Sequence, residues 1–128
     1  MKLEKVGIIA NKLKKPAVDL VDELRLFLES RGIESVSSYV FPGKDPLSLY
    51  SGIDMMIVLG GDGTILNFAR VYGRQHIPVL GINFGSLGFI AEIQPEHYKE
   101  ALTEIINGGG IISKRLVLYV RVQGAGGT

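Results

Sequence analysis

Short apolar runs alternate with stretches of helical spacing along most of this chain. Val6-Gly7-Ile8-Ile9-Ala10 comes first, the pattern of a strand buried on both faces of a parallel sheet. The polar loop Asn11-Lys12-Leu13-Lys14-Lys15-Pro16 follows, and Pro16 suits a helix start. Val18, Val21, Leu24 and Leu28 then recur at helical spacing, with Asp19, Asp22, Glu23, Arg25 and Glu29 on the opposite side. Gly32 predicts the stop. Residues 33–40 alternate weakly and predict a second strand, and Pro42, Gly43 and Pro46 mark an irregular stretch after it. Residues 55–59 predict a third strand and residues 64–72 a helix. Residues 77–82 predict a fourth strand, with Pro78 near its beginning, where a missing donor does least damage. Residues 95–107 predict another helix, with Tyr98, Ala101, Leu102, Ile105 and Ile106 on its apolar side.

Strand followed by helix, repeated, predicts an α/β fold: an open, mostly parallel, Rossmann-like sheet with helices on both faces. Beyond Gly108-Gly109-Gly110 the pattern changes. Residues 116–122 are β-branched and aromatic, flanked by Lys114, Arg115 and Arg121. Two readings compete there: the first strand of a truncated β-rich domain, or an edge strand added to the same sheet. The expected division is an α/β domain over residues 1–110 and, over 111–128, a connector with that first strand. The closing Gly124-Ala125-Gly126-Gly127 reads as a frayed tail or a cut through a longer protein.

Composition narrows the function classes. With 128 residues, 46% hydrophobic and 21% charged, the chain suits a domain with a sizeable core rather than a disordered segment. A formal net charge of +1 gives no electrostatic footprint for nucleic acid or an acidic membrane. No run is long enough to cross a bilayer, and the N-terminus lacks a signal-peptide pattern. Cysteine is absent, which excludes disulfides, thiolate catalysis and cysteine-ligated metals and suits a cytoplasmic location. His76 and His97 have no metal-ligand spacing.

The 17 glycines are concentrated rather than spread. Gly60-Gly61-Asp62-Gly63-Thr64 follows the third apolar run and opens a helical segment. Glycines there predict a sharp turn and a close backbone approach to a ligand, and amides at the following helix start can meet phosphate oxygens. A single carboxylate, Asp62, sits in the middle. It could accept a proton from an acceptor hydroxyl or position a divalent cation, and the two roles are compatible. The plainer alternative is a helix-capping turn. Thr64 could cap the helix and offer its hydroxyl to a phosphate or to metal-bound water. Gly61-Asp62-Gly63 supplies only part of the dinucleotide fingerprint, and no Walker-type loop is present. Lys12, Lys14 and Lys15 face the same choice between phosphate contacts and a solvated loop.

A second cluster, Gly81-Ile82-Asn83, Gly85 and Leu87-Gly88-Phe89-Ile90, follows the fourth run, with Glu92 after it. Together with the pentapeptide and with Asn11 after the first strand, these residues resemble the NAD kinases, ATP- or polyphosphate-dependent. The pentapeptide alone is shared with diacylglycerol and sphingosine kinases, and a shorter form with phosphofructokinases. The resemblance covers nearly the whole chain as the family's N-terminal α/β domain. It implies phosphoryl transfer to the 2′-hydroxyl of NAD, giving NADP, with Mg2+ or another divalent cation accompanying ATP. It makes Asp62 the proton acceptor and places Gly61, Gly63 and Thr64 against substrate. Asn83, Leu87, Gly88 and Phe89 shape the pocket, Phe89 being either a stacking wall or a core aromatic. Asn67 stands where some members carry a basic residue near phosphate. The implied partners are small molecules, NAD and ATP or polyphosphate, with no nucleic acid or membrane, and the full-length protein is expected to be a homo-oligomer. The family's Asn-Glu motif is missing, since Asn83 precedes Phe84 and Asn107 precedes Gly108. The 128 residues alone are therefore expected to have little activity. The competing functions are a lipid kinase of the diacylglycerol or sphingosine type and a non-catalytic nucleotide-binding module.

Overall fold

Lys5–Asn11 (β1), Glu34–Val40 (β2), Met55–Gly60 (β3) and Val79–Asn83 (β4) pair into a parallel four-stranded sheet in the order β2-β1-β3-β4. The structure is a computed structural model, and it describes residues 3–40, 52–61, 63, 64, 68, 77–84 and 93–108. Parallel strands need crossovers between them, and Lys15–Ser30 (α1) supplies the one from β1 to β2. The other helix with described bounds is Tyr98–Ile106 (α2), entered through the 3-10 turn Pro95–His97.

The register sorts the apolar runs onto two faces. Ile8 lies beside Ile57, and Ile57 beside Leu80; Ala10 lies beside Leu59, and Leu59 beside Ile82. This face packs against Ala17, Val21, Leu24 and Leu28 of α1 and Tyr98, Leu102 and Ile105 of α2. On the opposite face Ile9, Met56, Val58 and Val79 are buried as well, at most 2% exposed. Burial on both faces is why β1, β3 and β4 read as continuous apolar runs. Phe68 is also buried, apart from the α1–α2 cluster. β2 differs because among the described residues it is an edge, and its Ser35, Ser37 and Tyr39 are not buried.

Several boundaries move for local reasons. α1 starts at Lys15, three residues before its first apolar periodic position, because Pro16 occupies the first turn, where its missing N–H costs nothing. It ends at Ser30, with Arg31 as its C-cap, and Gly32 beyond them takes a φ of 74°, easily reached only without a Cβ. β3 and β4 run one residue past their apolar stretches, to Gly60 and Asn83. Pro78 lies just outside β4, and its carbonyl accepts from Met56 N–H at 2.9 Å. The start of β3 is tied to that of β1: Asp54 Oδ2 accepts from the amides of Glu4 (2.8 Å) and Lys5 (3.0 Å), while Asp54 N–H donates to Lys5 C=O. Of the helix expected over 64–72, Thr64 and Phe68 are described and both are helical, as is Gly63 just before it. The expected strand at 116–122 and the division at residue 110 lie outside the described residues.

Candidate functional site

From β1 the chain passes to β2 on one side, then to β3 on the other. This reversal opens a crevice at the carboxyl ends of β1 and β3, the place where open α/β sheets receive ligands. The strand ends there are Asn11, Gly60 and Asn83. Gly60 pairs with Asn83, and Asn11 follows Ala10, the partner of Leu59. Because successive residues of a strand alternate, all three face away from the α1–α2 core, on one side of the sheet. Asn11 and Asn83 are nonetheless buried, at 8% and 4% exposed.

Gly60 is the tightest point. A methyl group on its Cα would lie 2.6 Å from Thr64 Oγ1, 3.1 Å from Thr64 Cβ and 3.3 Å from Asn11 Cβ. Thr64, itself buried, thus sets its hydroxyl over the bare Cα, and its amide donates to Gly61 C=O at 3.2 Å. None of Gly60, Gly61 and Gly63 has a left-handed φ. What glycine supplies at 60 is room. At Gly61 and Gly63 an added methyl would meet no atom of the described residues within 4 Å.

The second loop starts and ends beside the first. Phe84 N–H donates to Gly60 C=O at 3.0 Å, carrying the ladder one step beyond β4. Asn83 N–H donates to Ile93 C=O at 2.8 Å, and Ile82 pairs with Ile93 in a parallel bridge. The chain therefore leaves the carboxyl edge at Phe84 and returns to it at Ile93. Of the residues expected at the site, Gly61, Gly63, Thr64 and Asn83 are placed here. Asp62, Asn67, Leu87, Gly88 and Phe89 lie outside the described residues.

Asn11 entered the sequence reading only as part of a resemblance, yet it reaches furthest in this geometry. Its Oδ1 accepts from Leu13 N–H at 2.9 Å, and its carbonyl accepts from Lys14 N–H at 3.0 Å. The signal was available: an asparagine directly after an apolar strand is a turn-former through its own side chain. The lysines of this loop divide. Lys15 Nζ pairs with Asp19 at 2.8 Å on the surface of α1, and that bond and charge hold its amine above the usual lysine range. Such an exposed pair adds little stability. His97 is exposed and lies 3.8 Å from Glu100, a solvated position.

Among the described residues no three His, Asp or Glu side chains converge on a metal position. The described oxygen donors near Gly60, on Asn11, Thr64 and Asn83, are neutral. That donor set suits a cation held largely by substrate phosphates rather than a protein cage. No helix among the described residues is long and apolar enough to cross a membrane.

Known proteins place this arrangement. The family model for the ATP-NAD kinase N-terminal domain matches residues 47–111, which includes both glycine-rich loops. An NAD kinase of Chloroflexus aggregans is 39% identical over 121 residues, covering 94% of this chain and 43% of that protein. An NAD kinase of Treponema denticola is 38% identical over 122 residues, with the same coverages. One from Pseudomonas fluorescens is 35% identical over 127 residues, covering 92% of this chain and 43% of the relative. The chain thus spans less than half the length of the curated relatives it matches. With the family model over half of its residues, the chain belongs to the ATP-NAD kinase family, through the N-terminal domain.

Proposed function

We propose that the protein containing this chain is an NAD kinase, moving a phosphoryl group from ATP or polyphosphate to the adenosine-ribose 2′-hydroxyl of NAD. The observation that carries this is the position of Gly60–Thr64, at the carboxyl end of β3 where the strand order reverses, in a chain of that family. In the reaction the ribose 2′-oxygen forms a bond to the terminal phosphorus, the bond to the leaving phosphate breaks, and the hydroxyl proton goes to Asp62. A carboxylate with an ordinary pKa of about 3.9 is ionised at neutral pH. It is a weak base, which is adequate because the hydroxyl proton can leave late in a loose transition state. With no described atom within 4 Å of a methyl added at Gly61 or Gly63, substrate would come close to the backbone there. By the family resemblance, Asn83, Leu87, Gly88 and Phe89 help shape the pocket, and Asn67 stands where some members carry a basic residue near phosphate. A divalent cation accompanying ATP would neutralise charge on the transferred group, and Asp62 is the carboxylate this loop would offer it. The lipid-kinase alternative shares the pentapeptide but is not favoured by the family. The protein is read as a cytoplasmic enzyme, homo-oligomeric at full length.

The test uses the full-length protein with NAD and Mg-ATP, and detects NADP with an NADP-specific dehydrogenase. Asp62→Asn is expected to lower kcat by at least about 100-fold, the scale of a lost general base, with KM for NAD little changed. Wild-type turnover in Asp62→Asn would remove the base from the mechanism. Phosphorylation of diacylglycerol in place of NAD would overturn the substrate reading.

A further inference from the structure

Three large apolar side chains are exposed among the described residues: Leu13, Leu26 and Tyr39, at 67%, 66% and 43%. Leu26 stands alone within α1, and a single exposed leucine needs no explanation. The other two come from different strands and reach one edge of the sheet. Tyr39 pairs with Ala10 near the carboxyl end of β2, and Leu13 lies just past the end of β1. Ala10 belongs to the core under α1, so Tyr39 stands on the α1 side of the sheet. α1 runs back along that side from Lys15, which sets its first turn, and Lys14 before it, at the same edge. The turn there is held through Asn11, whose Oδ1 accepts from Leu13 N–H and whose carbonyl accepts from Lys14 N–H. Leu13 and Lys14 are both left exposed on it. Lys15 is taken by Asp19, whereas Lys14 is paired with no carboxylate among the described residues. An aromatic ring, an aliphatic side chain and an amine thus share the carboxyl ends of β2 and β1, where open α/β sheets receive ligands. A ring beside a cation suits a nucleotide: the base has a face to stack, and the phosphates pair with the amine.

Strand order says which nucleotide. Gly60 ends β3, with β4 on one side and β1, then β2, on the other. Phosphoryl transfer sets the attacking and leaving oxygens roughly in line, so donor and acceptor lie on opposite sides of the moving group. The family resemblance gives Asn83 and the loop after β4 to the NAD pocket, which leaves the β1–β2 side to the donor. From Gly60 to Tyr39 is two strand spacings, about 10 Å, within the reach of an extended triphosphate.

We propose that Tyr39 stacks the adenine of ATP, bordered by Leu13, and that Lys14 meets the phosphates as the triphosphate crosses the end of β1 toward Gly60. This rests on the reading of the protein as an NAD kinase with its acceptor at the β4 end. It also separates the two donor classes. Inorganic polyphosphate has no base, so Tyr39 contributes nothing to it, while Lys14 serves both.

The experiment uses the full-length protein as wild type, Tyr39→Ala, Tyr39→Phe and Lys14→Ala. Each is titrated calorimetrically with Mg-ATP, Mg-tripolyphosphate and NAD, which needs no turnover. Tyr39→Ala is expected to weaken ATP binding about 10-fold, within the range for one stacked base, and to leave tripolyphosphate and NAD within about 2-fold. Tyr39→Phe keeps the ring and should bind ATP as the wild type does. Lys14→Ala should weaken ATP and tripolyphosphate alike, by about 3-fold, the scale of one exposed charge pair. Unchanged ATP affinity in Tyr39→Ala overturns the proposal, as does a loss that phenylalanine does not relieve. An equal loss for tripolyphosphate or NAD in Tyr39→Ala overturns it too, because neither carries the donor's base. Full affinity for both phosphate ligands in Lys14→Ala overturns the path of the triphosphate. If the wild type makes no NADP, the NAD kinase reading fails by itself, and the ATP affinities of the variants still decide whether this edge holds a nucleoside triphosphate.

Discussion

Residue 60 is glycine for want of space, not for freedom of rotation. Thr64 Oγ1 occupies the position next to a side chain that is not there, 2.6 Å from where its Cβ would be. Gly61, its neighbour, meets no such restriction among the described residues. The two should respond differently to the same substitution. Gly60→Ala is expected to cost about 1–3 kcal/mol in urea denaturation, the range for overpacking. Removing the obstructing hydroxyl with Thr64→Ala in the Gly60→Ala background should recover part of that, because Thr64 Cβ at 3.1 Å still crowds the methyl. Gly61→Ala should change stability by no more than about 0.5 kcal/mol. Equal costs at 60 and 61 would contradict this account. In the sequence the glycines of the pentapeptide look alike, since a one-letter string carries φ preference but not what lies against each Cα. The role of Thr64 as a residue packed on Gly60 was hidden for the same reason, whereas the value of Asn11 as a turn-former could be read from its place after β1.

At the level of elements, the contact between α1 and α2 was the part periodicity could not supply. Each helix has an apolar stripe, but nothing in either stripe says that they cover the same face of the sheet. The structure joins them through aromatic and polar contacts. Phe27 of α1 meets Tyr98 of α2 edge to face with ring centroids 6.0 Å apart. The Tyr98 hydroxyl donates to Glu23 Oε2 at 2.5 Å. Burial first, then the hydrogen bond and charge of Glu23, push the Tyr98 hydroxyl well above the usual phenol range. The neutral phenol is thus favoured in the folded state. Its contribution is complete below the unfolded pKa, about 10, and is lost as pH rises from there through the higher folded value. Wild-type stability should accordingly fall as pH climbs past about 10, and Tyr98→Phe should fall less steeply over that window. At neutral pH the same variant should be less stable by about 1 kcal/mol, the net contribution of one hydrogen bond. Parallel curves for the two proteins above that pH, followed by chemical denaturation, would show that Tyr98 does not carry the effect.

For the whole molecule, the relevant fact is that the relatives are more than twice as long as this chain. The α/β sheet brings the ends of the two loops together at one edge. The isolated chain should form NADP at no more than about one-hundredth of the full-length rate, since binding groups that orient substrate make up a large share of catalysis; comparable rates would overturn that expectation. The order of strands and helices and the burial of β1, β3 and β4 on both faces were determined by the sequence, because periodicity and apolar content act locally and survive in a one-dimensional string. So was the place of Gly60, Gly61 and Thr64 between a strand and a helix, because an apolar run, a glycine cluster and a helical pattern follow one another in the string. Only the tertiary structure decided that β1 lies between β2 and β3, that Asn11, Gly60 and Asn83 form a row on one side, and that Thr64 fills the place of a missing side chain. Those facts depend on which strands pair and in what register, and pairing is a competition among surfaces far apart in the chain, settled by packing rather than by any residue's own preference.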